Sequence, residues 1–112
     1  MDSTVKVWIT NFAGHDYDAA KKFGELTHIT KGFISDSSLD RLKFKIIEAM
    51  QDFKRGDYLL LSGTNIINVI AVAYAFARVS DVKLLVFDKD ENIYREVHLT
   101  MSNFEEIENA VS

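Results

Sequence analysis

The chain reads as one α/β domain, a mostly parallel sheet of about five strands with a C-terminal β-hairpin at its edge and a closing helix. Three observations predict it. Val5, Val7 and Ile9 alternate with Lys6, Trp8 and Thr10, the period of two that marks a strand with one face firmly buried. A short apolar run, Tyr58 to Leu61, passes through Ser62-Gly63-Thr64-Asn65 into a second apolar run, Ile66 to Val79, which is too long for a strand. That is the pattern of a strand, a tight polar turn and a buried helix. Val82 to Phe87 is then apolar almost without a break, as expected of a strand covered on both faces in a parallel sheet.

The remaining elements follow in order. Asn11-Phe12-Ala13-Gly14-His15-Asp16 is rich in turn formers, and Asp16 or Asp18 can cap a short helix with Ala19, Ala20 and Phe23 on one face, ended by Gly24. Leu26 to Thr30 forms a second short strand, closed by Lys31-Gly32. Asp36-Ser37-Ser38 offers N-caps for an amphipathic helix in which Leu39, Leu42, Ile46, Met50 and Phe53 recur at spacings of three and four up to Arg55-Gly56. Asp88 to Asn92 is a polar connection, after which Ile93, Arg95, Val97 and Leu99 alternate with Tyr94, Glu96 and His98 to complete the hairpin. Ser102 and Glu105 have the spacing of a capping box for a last helix with Phe104, Ile107 and Val111 on one face.

Bulk properties narrow the function classes. With 112 residues, 47% hydrophobic and 27% charged, the chain is a single globular domain without linker or repeat. A net charge of −4 opposes binding to a DNA or RNA polymer, which needs a continuous basic surface. A small anionic ligand needs only two or three local cations, such as Lys21, Lys22, Lys31, Arg78 or Arg95. The absence of cysteine excludes disulfides and thiolate metal sites, and Met1-Asp2-Ser3-Thr4 carries an acid where a secretion signal carries bases. A cytoplasmic protein is expected, in the host cytoplasm if phage-encoded. Ile66 to Ala77 is shorter than the roughly 20 residues that cross a bilayer, so no membrane role is expected.

The candidate site is the rim formed by two loops at the carboxyl edge of a parallel sheet, where open α/β folds take their ligands. Ser62, Gly63, Thr64 and Asn65 place hydroxyls, an amide and the free N–H groups of a helix start after one strand. Gly14-His15-Asp16-Tyr17, after the first strand, adds a histidine, a carboxylate and a phenol able to hydrogen-bond a ribose or stack on a base. The bland alternative is that Gly63 only permits a turn, Thr64 or Asn65 caps a helix, Asp16 caps the next one and His15 is solvated. Neither a P-loop nor a dinucleotide fingerprint is present, and Leu60 stands where a nucleophile elbow around Ser62 needs glycine. Asp88-x-Asp90-x-Asn92 begins like a calcium loop but continues with Ile93 and Leu99 where glycine and glutamate belong, so no metal or cofactor is expected. The helix after Asn65 is apolar nearly all round, with Ala71, Ala75 and Arg78 on one face and Ile70, Ala73 and Ala77 on another. It needs cover from the closing helix or from a second subunit approaching along the alanines, which predicts a homodimer or larger homo-oligomer.

Ile9 to Tyr17, Phe23-Gly24-Glu25-Leu26 and Asp57 to Gly63 resemble segments of short phage proteins of unassigned function, a likeness that covers most of the chain. The stretch from Tyr58 to Leu99, within the C-terminal two thirds, also resembles one half of the SAVED and CARF sensors, Rossmann-like three-layer domains that bind cyclic oligonucleotides in prokaryotic immunity. That resemblance implies that Ser62, Gly63, Thr64 and Asn65 form a ligand-contacting turn, that Thr10 and Asn11 form the loop after the first strand, and that two halves face each other across a shared pocket. Those sensors usually carry a fused effector, and none is expected here. Together these likenesses imply a non-enzymatic sponge that sequesters a small (cyclic) nucleotide immune signal as a phage anti-defence device, with Thr10, Asn11, His15, Asp16, Tyr17, Ser62, Gly63, Thr64 and Asn65 as its ligand-binding residues. Two alternatives stay open. One is a nucleotide-cleaving or -modifying enzyme with Asp16 or Glu25 as base and His15 as acid; the other is a protein-interaction module that inhibits a host protein through the Phe33-Ile34 or Tyr94 surface.

Overall fold

In the computed structural model, which describes residues 4–14, 16–32 and 38–111, five strands form one sheet in the order β2-β1-β3-β4-β5. They are β1 (Lys6–Phe12), β2 (Glu25–Lys31), β3 (Tyr58–Leu60), β4 (Asp81–Asp88) and β5 (Ile93–Thr100). β1 runs parallel to β2 and β3, β3 parallel to β4, and β5 returns antiparallel to β4. The α/β class, the parallel core, the hairpin edge and the closing helix expected from the sequence are all present. Among the described residues no helix is long and apolar enough to cross a membrane.

α1 (Leu39–Ala49) and α2 (Asn65–Val79) lie together on one face of the sheet, where Leu42, Ile46, Ile67 and Ala71 close over Trp8 and Leu59. The other face is covered more thinly. There Val7, Ile9, Leu60 and Leu85 pack under Tyr17 and Ala20, carried by and just before a 3₁₀ helix at Asp18–Phe23. α3 (Met101–Val111) follows β5 directly.

Several local expectations are corrected. β1 buries both faces, because it is an inner strand with helices on one side and the 3₁₀ segment on the other. The first helix is that 3₁₀ turn, not a capped α-helix. Its N-cap is Tyr17, the Asp16 carboxylate accepts the Asp18 N–H in an Asx turn, and Ala20 is buried while Ala19 is exposed. α1 ends at Ala49, with Met50 as C-cap, so Phe53 reaches the core from a turn. Of its predicted caps, Ser38 accepts the Arg41 N–H at 3.3 Å, while Asp36 and Ser37 lie outside the described residues. The capping box of α3 is Thr100 with Asn103, not Ser102 with Glu105: the Thr100 N–H donates to Asn103 Oδ1 and the Asn103 N–H to Thr100 Oγ1, both at 3.1 Å. The helix starts one residue before Ser102, and this leaves Ser102 inside it.

At the amino edge of the sheet a carboxylate is buried. Asp57 is 1% exposed and accepts the Lys6 N–H at 3.1 Å, the Trp8 indole N–H at 3.0 Å and the Lys54 N–H at 3.2 Å, with the Lys54 ammonium at 3.3 Å. It fastens the start of β1 to the turn that leads into β3. Asp57→Ala strands three donors, and we expect it to lower the free energy of unfolding by about 3 kcal/mol. Urea titration followed by the fluorescence of Trp8, the single tryptophan, reads this directly; an unchanged midpoint would remove Asp57 from the account.

Candidate functional site

After β1 the chain turns toward β2, and after β3 it turns the other way toward β4. The carboxyl ends of β1 and β3 therefore diverge at the point where the strand order reverses, the place where open α/β sheets form a crevice. Two polar residues of β1 are buried there, Thr10 at 0% and Asn11 at 6% exposure. The Thr10 hydroxyl accepts the Ser62 N–H at 2.8 Å and has the Ser62 carbonyl at 2.6 Å and Asn68 Oδ1 at 2.5 Å as acceptors for its proton. Asn11 donates to the Gly32 carbonyl at 3.1 Å and has Thr30 Oγ1 at 2.9 Å from its own oxygen. These side chains hold the β1 end, the β2 end and the β3–α2 turn together.

Gly63 completes that junction. Its φ of +82° is in the left-handed region, and a Cβ built on it would stand 2.6 Å from the Asn11 Cβ. The turn can thus press its backbone onto β1 only with glycine at this position.

Beside the junction, on the sheet face opposite α1 and α2, opens a cleft of about 260 Å³ lined by Asp16, Tyr17, Leu60, Leu61, Ser62, Phe87 and Tyr94. Tyr17 is 4% exposed, and its ring packs against Phe12 at a tilt of 41° with centroids 5.1 Å apart. Its hydroxyl lies 3.2 Å from the Asn11 carbonyl and 3.0 Å from Ser62 Oγ. The carbonyl can only accept, so a phenol donating there leaves its oxygen to receive the Ser62 proton. A serine held in this way is arranged to hydrogen-bond rather than to attack. Across the cleft Phe87 and Tyr94, opposite one another in the β4–β5 ladder, pack with their rings tilted by 57° and centroids 5.1 Å apart. Burial pushes the Tyr94 phenol above its ordinary value, and the neighbouring Tyr17 and Asp16 push it further the same way.

Of the nine residues expected to bind ligand, Asp16, Tyr17 and Ser62 line the cleft. Thr10 and Asn11 stand behind it as braces, and Gly63 shapes the turn. Thr64 and Asn65 are exposed at the start of α2, where Thr64 is the N-cap without a side-chain cap bond. His15 lies outside the described residues, as do Phe33 and Ile34. Two of the suggested cations are engaged elsewhere: Arg78 donates to the Phe53 and Gln51 carbonyls, and Arg95 pairs with Asp88 at 2.6 Å. The aromatic wall of Phe87 and Tyr94 is absent from the sequence-derived set. The sequence singles out Tyr94 only as a surface for a protein partner, and the hairpin register then places Leu85, Phe87 and Tyr94 on one face.

A family model described as Phage Pam3 gp32-like protein matches residues 5–101. No curated protein and no solved structure matches the chain.

Gly63→Ala is expected to destabilise the protein by about 2 kcal/mol, from the left-handed backbone and the contact with Asn11, as measured by urea unfolding. A loss below a few tenths of that would mean the turn relaxes freely. Because the folded-state pKa of Tyr94 is raised, its contribution is intact below the ordinary phenol value near 10 and is lost as pH rises beyond it. Stability should therefore fall less steeply above pH 10 in Tyr94→Phe than in the parent chain.

Proposed function

We propose, for a chain that belongs to the phage Pam3 gp32-like protein family, that the cleft binds and sequesters a small nucleotide without changing it, as a sponge for a (cyclic) nucleotide immune signal. The observation that carries this reading is the aromatic cleft itself: Tyr17, Phe87 and Tyr94 surround an apolar floor at Leu60, beside the Ser62 hydroxyl and the Asp16 carboxylate. Aromatic faces hold a base by stacking worth roughly 1–3 kcal/mol each. A carboxylate and a hydroxyl suit the exocyclic amine of a base or the hydroxyls of a ribose. The volume is just under the ~300–1,000 Å³ of sites for drug-sized ligands, so the cleft takes one nucleoside unit and leaves the rest of the ligand outside. The lining holds a carboxylate and no lysine or arginine, which keeps the phosphates at the mouth. A cyclic oligonucleotide is favoured over a mononucleotide by the resemblance of Tyr58–Leu99 to SAVED and CARF sensor halves.

The test is incubation of the purified protein with a panel of cyclic oligonucleotides and ADP-ribose-derived signals, removal of free ligand, heat release and mass spectrometry. Intact ligand near one per pocket is expected. Tyr94→Ala should weaken retention about tenfold or more, the loss of one stacking face. A changed ligand mass would make the protein an enzyme acting through the same cleft, and no retention of any panel member would move the function to protein interaction.

A further inference from the structure

No residue of α3 is fully buried against the rest of the chain; Phe104 and Asn103 are only half-covered. At 11 residues it is shorter than the ~12–15 at which even favourable isolated helices become marginal in water, so its stability must come from packing. Its exposed apolar residues, Phe104, Ile107 (61% exposed) and Val111 (78% exposed), recur at helical spacing and make one stripe. α2 presents a matching stripe in Val69 (62% exposed), Ala73 and Phe76, and the Phe76 ring meets Phe104 edge-on with centroids 5.5 Å apart. The two stripes therefore join into one apolar ridge across the helix side of the molecule.

We propose that this α2–α3 ridge is the isologous interface of a homodimer. Together with Leu39 and Phe44, exposed on α1, the ridge offers on the order of 600 Å² of apolar surface. That stands at the top of the ~300–600 Å² range of a monomer's largest patch, itself often functional, and approaches the ~800 Å² that each partner of a standard interface buries. The charges are self-complementary. Tyr74 and Phe76 are two residues apart and so lie on opposite flanks of α2; Tyr74 accepts a bond from Gln51 just after α1, while Phe76 meets α3. α2 is thus flanked by α1, with Arg41, Lys43 and Lys45 against Asp40 and Glu48, and by α3, with Glu105, Glu106 and Glu108 and no base. A two-fold axis in the interface plane, parallel to α2 and between the two copies of it, sets the acidic α3 of one copy over the net basic α1 of its partner, with Ala73 and Ala77 allowing the two α2 backbones to approach. The cleft opens on the other face of the sheet, so each copy keeps a complete one. This inference does not rest on nucleotide binding.

Sedimentation velocity of the full chain over a wide concentration range should give the mass of two chains. Val69→Glu and Ile107→Glu, at sites that bury little within the chain, should each keep the helical circular dichroism and yield a single chain at the same concentrations. Glu105→Lys with Glu106→Lys should raise the dissociation constant about tenfold by placing like charges opposite each other. Because the chain has no cysteine, Ala73→Cys provides a clean site at which a short bismaleimide should join two copies. A single chain at every concentration, a trimer or larger ring, or a dimer indifferent to both glutamate substitutions would each overturn the proposal.

Discussion

One hydroxyl group, that of Thr10, stands at the meeting point of the three pieces of chain that make this fold. It lies in the centre of the sheet with no exposure and binds the backbone of the β3–α2 turn on one side and Asn68 of α2 on the other. A buried hydroxyl without partners would cost several kcal/mol, and here it shares a closed set of bonds with the Ser62 N–H and Asn68 Oδ1, which also meet each other at 3.2 Å. The arrangement fixes how far the turn can move from β1. That distance in turn requires glycine at position 63 and seats Ser62 beside Tyr17.

The polar residues at the carboxyl edge divide into two kinds. Thr10, Asn11, Thr30 and Asn68 spend their hydrogen bonds on one another and on backbone, and they act as joinery. Asp16 and Ser62 reach the cleft, where they meet an aromatic wall supplied by the hairpin. The molecule thus separates its two surfaces of interest. One sheet face carries the cleft under a thin 3₁₀ layer, and the other carries the helices and their apolar ridge.

The architecture was largely legible because its signals are periodic. The run from Tyr58 to Val79 and the alternation after Asn92 each admit one reading, and Gly63 marks the turn. Boundaries were less so. The helix from Leu39 continues its apolar spacing to Phe53, yet the backbone leaves the helix at Met50, because Phe53 reaches the core as well from a turn as from a helix. The site was legible only by location. Nothing in a single sequence distinguishes a polar residue that braces a strand end from one that faces a ligand, so Thr10 and Asn11 were grouped with Ser62. Phe87 looks like an ordinary hairpin residue, and Tyr94 like a tyrosine facing a partner, until the register pairs them above Leu60.

The cleft also inherits a property from the order of the chain. The contacts that join β1 to the β3–α2 turn span 52 residues, whereas the β4–β5 hairpin closes over a four-residue connection. Loop closure over such a distance costs more entropy and comes late in folding, after local pairs have formed. The cleft straddles that late junction on one side and the early hairpin on the other, so no fragment of the chain can possess it. A molecule lodged there is coupled to the whole fold and makes occupancy and global folding a single equilibrium.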